Sequence, residues 1–275
     1  MNSNPHIKIL ILNYNGKHII QRCLESVFKL EYNNFSVDVI DNGSNDNSIE
    51  IINNLFNDVT IHQTGENLGY AKGYNFCFDK LKKDNIDYYL LLNNDAIVVS
   101  DLIINLLLNV EKYGSENIYG PKIYYSNTSR LWFAGGLYSK FLGITRHIGM
   151  NKFEDNICYK TKQTDYITGC CMLVSKKIID KLNGFEKKYK MYYEDVDLCH
   201  RAYLEGAKCF IIEGQAIAHD VSYTIKNNSI FKKYHMFISQ IKFIYKFNNP
   251  VFFIISMIIN VCLMPVYPLK RFMKL

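Results

Sequence analysis

The sequence contains few of the residues that mark fibrous, linker-rich or metal-knuckle proteins. Its 275 residues include only five prolines and 15 glycines, so a collagen-like or linker-like segment is excluded. The eight cysteines are scattered, with no CxxC pair and no zinc-ligand spacing. The first five residues are polar and contain no apolar signal-peptide region. Free thiols without an export signal predict a cytoplasmic protein.

Acidic residues are missing from the end of the chain. After Asp220 there is no Asp or Glu, and eight of the 32 basic residues follow it, which leaves 24 against 26 acidic residues in the rest. The positive charge therefore belongs to one segment, and the sequence predicts no nucleic-acid partner. The tail's basic residues are Lys226, Lys232, Lys233, Lys242, Lys246, Lys270, Arg271 and Lys274.

Two phosphate-binding fingerprints are also missing. The sequence has no Walker loop and no GxGxxG, and the glycines at 69 and 73 are too loosely spaced to replace them. P-loop enzymes and dinucleotide-binding dehydrogenases are therefore not supported.

What the first half does contain is an alternation of apolar runs and helical patterns. Continuously apolar strands separated by helices of about 10 to 15 residues are typical of a parallel sheet covered by helices. The sequence predicts an α/β fold with a doubly wound, mostly parallel sheet flanked by helices. The predicted strands are His6–Leu12, Phe35–Ile40, Val59–His62 and Tyr88–Leu92.

Polar clusters follow three of these strands, at 13–16, 41–46 and 93–95. Ligands of such sheets bind beyond the carboxyl ends of the strands, so the clusters are expected to share one crevice. Ordinary turn chemistry is the alternative explanation for each cluster. Asp41 is suited to accept hydrogen bonds from a base or ribose, and Tyr14 offers a face for stacking. Asp95 is a hard oxygen ligand suited to Mg²⁺ or Mn²⁺.

Three carboxylates crowd into a short stretch of the second half, at Glu194, Asp195 and Asp197. A helical pattern follows them, and the amide donors and positive dipole of a helix start stabilise an ionised carboxylate there. A carboxylate held ionised and oriented is suited to act as a general base. The alternative is an acidic cap on a surface helix.

Five motifs in order resemble a known family. The chain is similar to family 2 glycosyltransferases of the GT-A fold, in the branch of bacterial rhamnosyltransferases, from about Ile9 to Asp220. Further similar segments lie at 168–174 and 182–185. The five motifs occupy residues 11–16, 41–46, 66–71, 91–95 and 194–198.

The resemblance implies an inverting sugar transfer from a nucleotide-diphosphate sugar, assisted by Mg²⁺ or Mn²⁺. It makes Asp195 the catalytic base, with Glu194 and Asp197 in support, and assigns Asp95 and His219 to the metal. Asn93 and Asn94 stand where the family often has Asp. The positions it assigns to donor binding are Asn13, Tyr14, Asn15, Asp41, Asn67, Gly69, Lys72, Asn93 and Asn94.

The middle of the chain supplies candidates for the acceptor side. Trp132, the single Trp, lies beside glycines and suits stacking on a sugar; a packed aromatic is the alternative. Gly169 belongs to one of the further similar segments. We predict a glycosyltransferase domain over 1–225, with a nucleotide-sugar half (about 1–115) and an acceptor half (about 116–225), and a separate tail over 226–275.

The tail pairs a basic amphipathic pattern with an apolar one. Apolar residues from Ile230 to Tyr245 recur at helical spacing, a break follows at 248–250, and Val251–Tyr267 is almost entirely apolar. The second segment is shorter than the roughly 20 residues of a spanning helix and contains Pro265. We predict peripheral attachment to an anionic membrane surface; a core-packing helix pair or an oligomer interface is the alternative.

The resulting hypothesis is a glycosyltransferase at the inner face of the cell membrane. It would transfer a sugar, from dTDP-rhamnose or a UDP-hexose, to a hydroxyl of a lipid-linked or growing cell-surface glycan. The alternative is a non-catalytic subunit of a polysaccharide assembly complex that binds the nucleotide sugar or the glycan. The sequence leaves the donor sugar and base, the linkage, the metal and the oligomeric state open.

Overall fold

The computed structural model describes residues 4–153, 160–214, 217–219 and 229–263. Its helices are α1 Ile20–Val27, α2 Ser48–Leu55, α3 Tyr70–Lys80, α4 Leu102–Tyr113, α5 Lys176–Leu182, α6 Glu194–Leu204, α7 Ser229–Phe247 and α8 Pro250–Leu263. Its strands are β1 Ile7–Asn13, β2 Phe35–Asp41, β3 Val59–Gln63, β4 Tyr88–Asn93, β5 Ala96–Ile97, β6 Ile118–Gly120, β7 Ile123–Tyr125, β8 Leu131–Phe133, β9 Gly136–Tyr138, β10 Thr145–His147, β11 Lys162–Thr164, β12 Cys171–Ser175, β13 Cys209–Ile211 and β14 Ile217–His219.

The larger sheet carries the predicted strands. Its order within the described residues is β11-β13-β6-β12-β4-β1-β2-β3. β1 is parallel to β2 and β4, and β2 is parallel to β3. The apolar runs of β1 and β4 are almost wholly buried, as expected for strands covered on both faces. The predicted α/β fold with a largely parallel sheet is confirmed, and each predicted strand agrees with the structure to within one residue at either end.

One central strand runs against its neighbours. β12 is antiparallel to both β4 and β6, with Cys171 opposite Leu92. It therefore begins at the edge of the sheet where β4 ends. Gly169 and Cys170, which precede β12, lie at this edge, and the backbone N–H of Asn93 donates to the carbonyl of Cys170 at 3.0 Å.

A smaller sheet extends this edge, in the order β5-β14-β7-β8. β5 begins directly after the turn that follows β4, and it pairs antiparallel with β14 so that His219 lies opposite Ala96. The register thereby places His219 beside Asp95. β8 contributes Trp132 to the same sheet.

The tail folds as the two helices that its sequence predicts, α7 and α8. α7 buries Phe243 and Ile244 against the body of the protein, whereas Tyr234 and Tyr245 of the predicted apolar stripe are exposed. No helix among the described residues is long and apolar enough to cross a membrane. The end of the predicted apolar segment, 264–267, lies outside the described residues.

α8 has its polar side turned inwards. Ser256 is completely buried, and its Oγ donates to the carbonyl of Phe141 at 2.6 Å. Nδ2 of Asn260 donates to the carbonyl of Leu142 at 3.1 Å. The exposed side is apolar and consists of Val251, Phe252, Ile254, Ile255, Ile258 and Val261.

The cysteines that the structure describes are free thiols, as the sequence predicts. Cys262 on α8 is exposed. The buried ones are Cys23, Cys77, Cys170, Cys171, Cys199 and Cys209.

Candidate active site

A hydrogen-bonded group of side chains forms the floor of a crevice at the ends of β1, β2 and β4. Asn13 is fully buried, and its Nδ2 donates to Oδ1 of Asp41 at 3.3 Å and to Oγ of Ser48 at 3.0 Å. Nδ2 of Asn94 donates to Oδ1 of Asn13 at 2.8 Å. A Cβ atom on Gly16 would lie 2.1 Å from that oxygen, so only glycine fits there. The three polar clusters therefore meet, as their positions after the strands predict.

The first two loops of the crevice are tied together above this floor. Oδ2 of the buried Asp41 accepts a hydrogen bond from the backbone of Ser44 at 3.1 Å. Asn15 has a φ of 51°, and its backbone N–H donates to Oγ of Ser44 at 2.9 Å. Tyr14, which lies between Asn13 and Asn15 in the sequence, is partly exposed. Asn13 and Asp41 thus support the loops, while Tyr14 and Asn15 lie nearer to solvent.

The third donor motif leads into α3. Nδ2 of Asn42 donates to Oδ1 of Asn67 at 3.2 Å, and the same oxygen accepts from the backbone of Gly69 at 2.9 Å. Gly69 has a φ of 79°, and a Cβ atom there would lie 2.7 Å from the carbonyl oxygen of Lys190. Lys72, in the first turn of α3, is exposed. The start of α3 therefore lies directly against the segment that precedes α6.

Asp195, the predicted base, is held at the start of α6 by backbone donors. Its Oδ2 accepts from the N–H of Gly169 at 3.0 Å, and its Oδ1 accepts from the N–H of Val196 at 2.8 Å. Burial raises the pKa of this carboxyl above its ordinary value, and these backbone hydrogen bonds partly oppose the rise. A fixed carboxylate with a raised pKa has the properties of a general base.

Glu194 differs from its neighbour in having an unpaired oxygen. The residue is 8% exposed, and its Oε2 has no hydrogen-bond partner among the described residues. Burial, and then the charge of Asp195, raise the pKa of Glu194 to about 8. The raised pKa favours the protonated form of Glu194, whose carboxyl can donate a hydrogen bond where Asp195 accepts one.

The backbone directly before these carboxylates is strained. Tyr192 and Tyr193 have φ values of 68° and 69°, in the left-handed region that bulky side chains rarely adopt. Strain of this kind persists only where surrounding contacts impose it, and it is concentrated at functional sites. The ring hydroxyl of Tyr193 donates to the carbonyl of Gly143, which is one such contact.

Asp197, the third carboxylate of the stretch, is paired inside the protein. Its side chain is completely buried, with Nε of Arg201 at 2.6 Å and Nζ of Lys246 at 2.6 Å. Tyr189 adds a hydrogen bond from its hydroxyl at 3.4 Å. Asp197 makes no N-terminal cap, and its position fits structural support of the helix that carries Asp195.

A short turn, 168–170, joins the base to the end of β4. The N–H of Gly169 holds Asp195, and the carbonyl of Cys170 accepts from the backbone of Asn93. The hydroxyl of Tyr70 donates to the carbonyl of Gly169 at 2.7 Å, and a Cβ atom on Gly169 would lie 2.2 Å from that hydroxyl. Tyr70 lies in the motif at 66–71, but its contact with Gly169 spans 99 positions and has no local signal in the sequence.

Asp95 and His219 form the other end of the crevice. Nε2 of His219 lies 3.0 Å from Oδ1 of Asp95. The two atoms are not aligned as a hydrogen bond, and Oδ1 of Asp95 and Nδ1 of His219 have no hydrogen-bond partner among the described residues. Two ligand atoms about 2.1 Å from one octahedral ion would be separated by a similar distance. Oδ1 of Asp95 and Nε2 of His219 are therefore spaced as two neighbouring ligands of one divalent ion.

Trp132 packs beside this pair. Its ring centroid is 4.6 Å from that of His219 and 4.8 Å from that of His147. The side chain is only partly buried, so the packed and the sugar-stacking interpretations both remain compatible with its position. Burial lowers the pKa of His147 to about 4, so its ring is neutral at physiological pH.

A second group of potential ligands lies elsewhere, at Asp38, His62 and Cys77. Nζ of Lys8 is 2.9 Å from Oδ1 of Asp38, and Nε2 of His62 is 2.6 Å from Oδ2. Both carboxylate oxygens are therefore already paired, one of them with a cation. This group fits a metal less well than Asp95 and His219, and it belongs to the middle of β2, away from the crevice.

Comparison with known proteins identifies the family of this chain. Residues 8–182 match glycosyl transferase family 2, so the chain belongs to that family. The rhamnosyltransferase WbbL of Escherichia coli K12 is 26% identical over 181 residues, which cover 63% of this chain and 66% of the relative. The N-acetylglucosaminyl-diphospho-decaprenol L-rhamnosyltransferase of Mycobacterium tuberculosis H37Rv is 22% identical over 232 residues, 78% of this chain and 75% of the relative. The chain thus spans slightly less than two thirds of WbbL.

Solved structures of low sequence identity share the fold. GalNAc-T7, crystallised with UDP, GalNAc and Mn²⁺, superposes with a TM-score of 0.65 at 14% identity, over 80% of this chain and 44% of that one. Staphylococcus aureus TarS 1–349 in complex with UDP gives a TM-score of 0.58 at 16% identity, over 89% and 67% of the two chains. These likenesses establish the GT-A fold.

Proposed function

We propose that this protein is an inverting, metal-assisted glycosyltransferase. It transfers a sugar from a nucleotide-diphosphate sugar to a hydroxyl of a lipid-linked or growing cell-surface glycan. The observation that carries this proposal is the turn at 168–170, which joins the partly buried carboxylate of Asp195 to the strand end that leads to Asp95. A base and a candidate metal site in one crevice are what such a transfer requires.

The donor nucleotide is assigned to the loops after β1, β2 and β3. Tyr14 and Asn15 lie at the accessible side of the Asn13–Asp41 floor, where a base can stack and accept or donate hydrogen bonds. This assignment also includes residues at the start of α3, namely Asn67, Gly69 and Lys72. The exposed ammonium of Lys72 suits a phosphate.

Asp195 performs the proton transfer of the proposed reaction. The acceptor hydroxyl gives its proton to Asp195 while its oxygen forms a bond to the anomeric carbon. The bond from that carbon to the diphosphate oxygen breaks on the opposite face, so the configuration inverts and the nucleoside diphosphate leaves with the electron pair. The N–H groups of Gly169 and Val196 orient Asp195 for this step.

Asp95 and His219 would hold the divalent ion. A bound Mg²⁺ or Mn²⁺ supplies positive charge that stabilises the departing diphosphate. Asn94, which precedes Asp95, donates a hydrogen bond to Asn13. This bond connects the turn that carries Asp95 to the side chains beneath the donor loops.

We assign the outward face of α8 to an anionic membrane. Six apolar side chains are exposed on this one helix. Single exposed apolar residues are common on protein surfaces, but a group of this size marks an interaction surface. Its polar residues bond to the protein instead of to water, and the tail after Asp220 carries eight basic and no acidic residues. Apolar and cationic groups together match an anionic lipid surface, and a lipid-linked acceptor would be presented there.

Charged substitutions on that face test the membrane assignment. We expect Ile254→Asp with Ile258→Asp to lower binding to phosphatidylglycerol-containing vesicles at least about tenfold, because apolar burial in the lipid boundary is lost. Vesicle flotation of the whole protein measures this, and Leu108→Asp, an equally exposed apolar position on α4, is the control. If the wild type fails to float and forms a dimer that the double variant abolishes, the face binds a second copy instead.

The protonation of Glu194 predicts how stability changes with pH. The unfolded side chain loses its proton near 4.5, whereas the folded one retains it to about 8, so stability decreases as pH rises between these values. We expect Glu194→Gln to remove this decrease. The melting temperature of the variant minus that of wild type should therefore be several degrees larger at about pH 9 than at about pH 5. Scanning calorimetry with the exposed control Glu111→Gln measures it; an equal pH trend in both variants contradicts the assignment.

The proposed activity is tested with a panel of UDP- and dTDP-sugars. Release of nucleoside diphosphate is measured with a lipid-linked acceptor extract, in Mg²⁺ or Mn²⁺ and in EDTA. Metal-dependent release from one donor supports the proposal and identifies the sugar. If a donor binds but is never turned over while control enzymes work on the same extract, the protein is a non-catalytic binding subunit.

A further inference from the structure

One face of α7 is attached to the segment that leads into the base. Ser239 Oγ donates to the carbonyl of Met191 at 2.8 Å, and Lys242 Nζ donates to the carbonyl of Lys188 at 2.7 Å. These contacts recur every three or four residues along the helix, which is the spacing of one helical face. These contacts hold the segment 186–193, which leads directly into Glu194 and Asp195 at the start of α6.

Lys246 lies on the same face of α7 and contacts α6, the helix that begins with Glu194 and Asp195. Its Nζ lies 3.0 Å from Oε2 of Glu186 and 2.6 Å from Oδ1 of the fully buried Asp197. With Arg201 on the other oxygen of Asp197, the network contains two carboxylates and two cations. Removing Lys246 would leave two carboxylates with one cation, and the buried Asp197, two residues after Asp195, would lose one of its two partners.

The segment that α7 holds is the strained one. Residues in a sparsely populated backbone region persist only where surrounding contacts hold them, and Tyr192 and Tyr193 are both of this kind. The ring of Phe243 on α7 packs 5.7 Å from the ring of Tyr193. α7 is therefore among the contacts that keep this turn, and so the first turn of α6, in place.

We infer that α7 is a positioning element for Asp195 and that Lys246 is its key positioning residue. The inference rests on the proposed function, because it assigns α7 to the orientation of the base. Activity then depends on the docked tail, although α7 supplies no group that touches the reacting atoms. Since α8 follows α7 and carries the proposed lipid-facing surface, seating at a membrane and orientation of the base involve the same helix pair.

The test compares Lys246→Ala, Lys246→Arg and Lys83→Ala in the full chain. Lys83 is exposed in the turn after α3, outside the tail and the crevice, and serves as the control. Misplacement of a catalytic group by a fraction of an ångström to an ångström lowers the rate by about 10- to 100-fold. We expect a loss of this size in kcat for Lys246→Ala, an unchanged affinity for the nucleoside diphosphate, and substantial recovery in Lys246→Arg.

Hydrogen exchange of 186–193 provides a readout that needs no turnover. We expect faster exchange in this segment for Lys246→Ala, and the wild-type rate for Lys83→Ala. If Lys246→Ala matches the control in both kcat and exchange, the inference is wrong. If exchange rises as expected but even the wild type turns over no donor, the positioning role stands and the proposed activity fails.

Discussion

Replacing Asp195 with asparagine is expected to lower kcat by about 10²- to 10⁴-fold, the usual contribution of a general base. Asparagine has the same shape but cannot accept the proton of an acceptor hydroxyl. One of the two backbone donors at this site would also face the amide NH₂ instead of an oxygen. Binding of UDP or dTDP, which the donor loops provide, should stay within about twofold. Single-turnover kinetics and calorimetric titration of the nucleotide measure the two quantities.

The pH profile gives a second, independent sign of the same base. Burial raises the pKa of Asp195, so kcat/KM of the wild type should decrease as pH falls through a value above the ordinary aspartate range. Asp58→Asn, at an exposed position, is the control and should match wild type in every measurement. Wild-type turnover by Asp195→Asn would show that another group takes the proton.

Loss of Asp95 is expected to have the second largest effect. Asp95→Ala should abolish Mn²⁺ binding in the presence of nucleoside diphosphate and lower kcat by about 10²- to 10³-fold, because the ion's stabilisation of the leaving group is worth several kcal/mol. His219→Ala should weaken binding less, since a neutral imidazole contributes no charge. Electron paramagnetic resonance of Mn²⁺ reports occupancy without turnover.

The group at Asp38, His62 and Cys77 supplies the control for this prediction. Cys77→Ser changes one potential ligand of that group and leaves the crevice untouched. It should bind Mn²⁺ as wild type does. Loss of Mn²⁺ binding in Cys77→Ser but not in Asp95→Ala would contradict the prediction and place the metal at Asp38, His62 and Cys77.

The strands that line the donor side were predictable because their apolar runs are long and uninterrupted. Local chemistry also marks the start of α5, where the hydroxyl of Ser175 caps the helix by accepting from the backbone N–H of Ile178 at 3.3 Å. The direction of β12 was not predictable, since a short apolar strand such as 171–175 has the same pattern in either orientation. Gly169 comes to Asp195 only through that reversal.

The site residues themselves divide along the same line. The motifs predicted that Asn13, Asp41 and Asp95 would share a crevice, because strand ends converge in such sheets. The positive φ of Tyr192 and Tyr193 has no local signal, since tyrosine does not favour that region. Lys246 was expected among the outward basic residues of the tail, yet it pairs with Asp197. Contacts between residues about 50 positions apart depend on tertiary packing that periodicity does not encode.

Cys262 gives α8 a chemical reporter of its own. The other cysteines that the structure describes are buried, whereas this thiol is exposed at the end of the apolar helix. A thiol-reactive fluorophore or spin label should therefore attach at this position without an introduced cysteine, once Cys158, which lies outside the described residues, has been replaced. Its emission or accessibility to lipid-soluble quenchers would then read the polarity around the helix during turnover, in real time and on the otherwise natural chain.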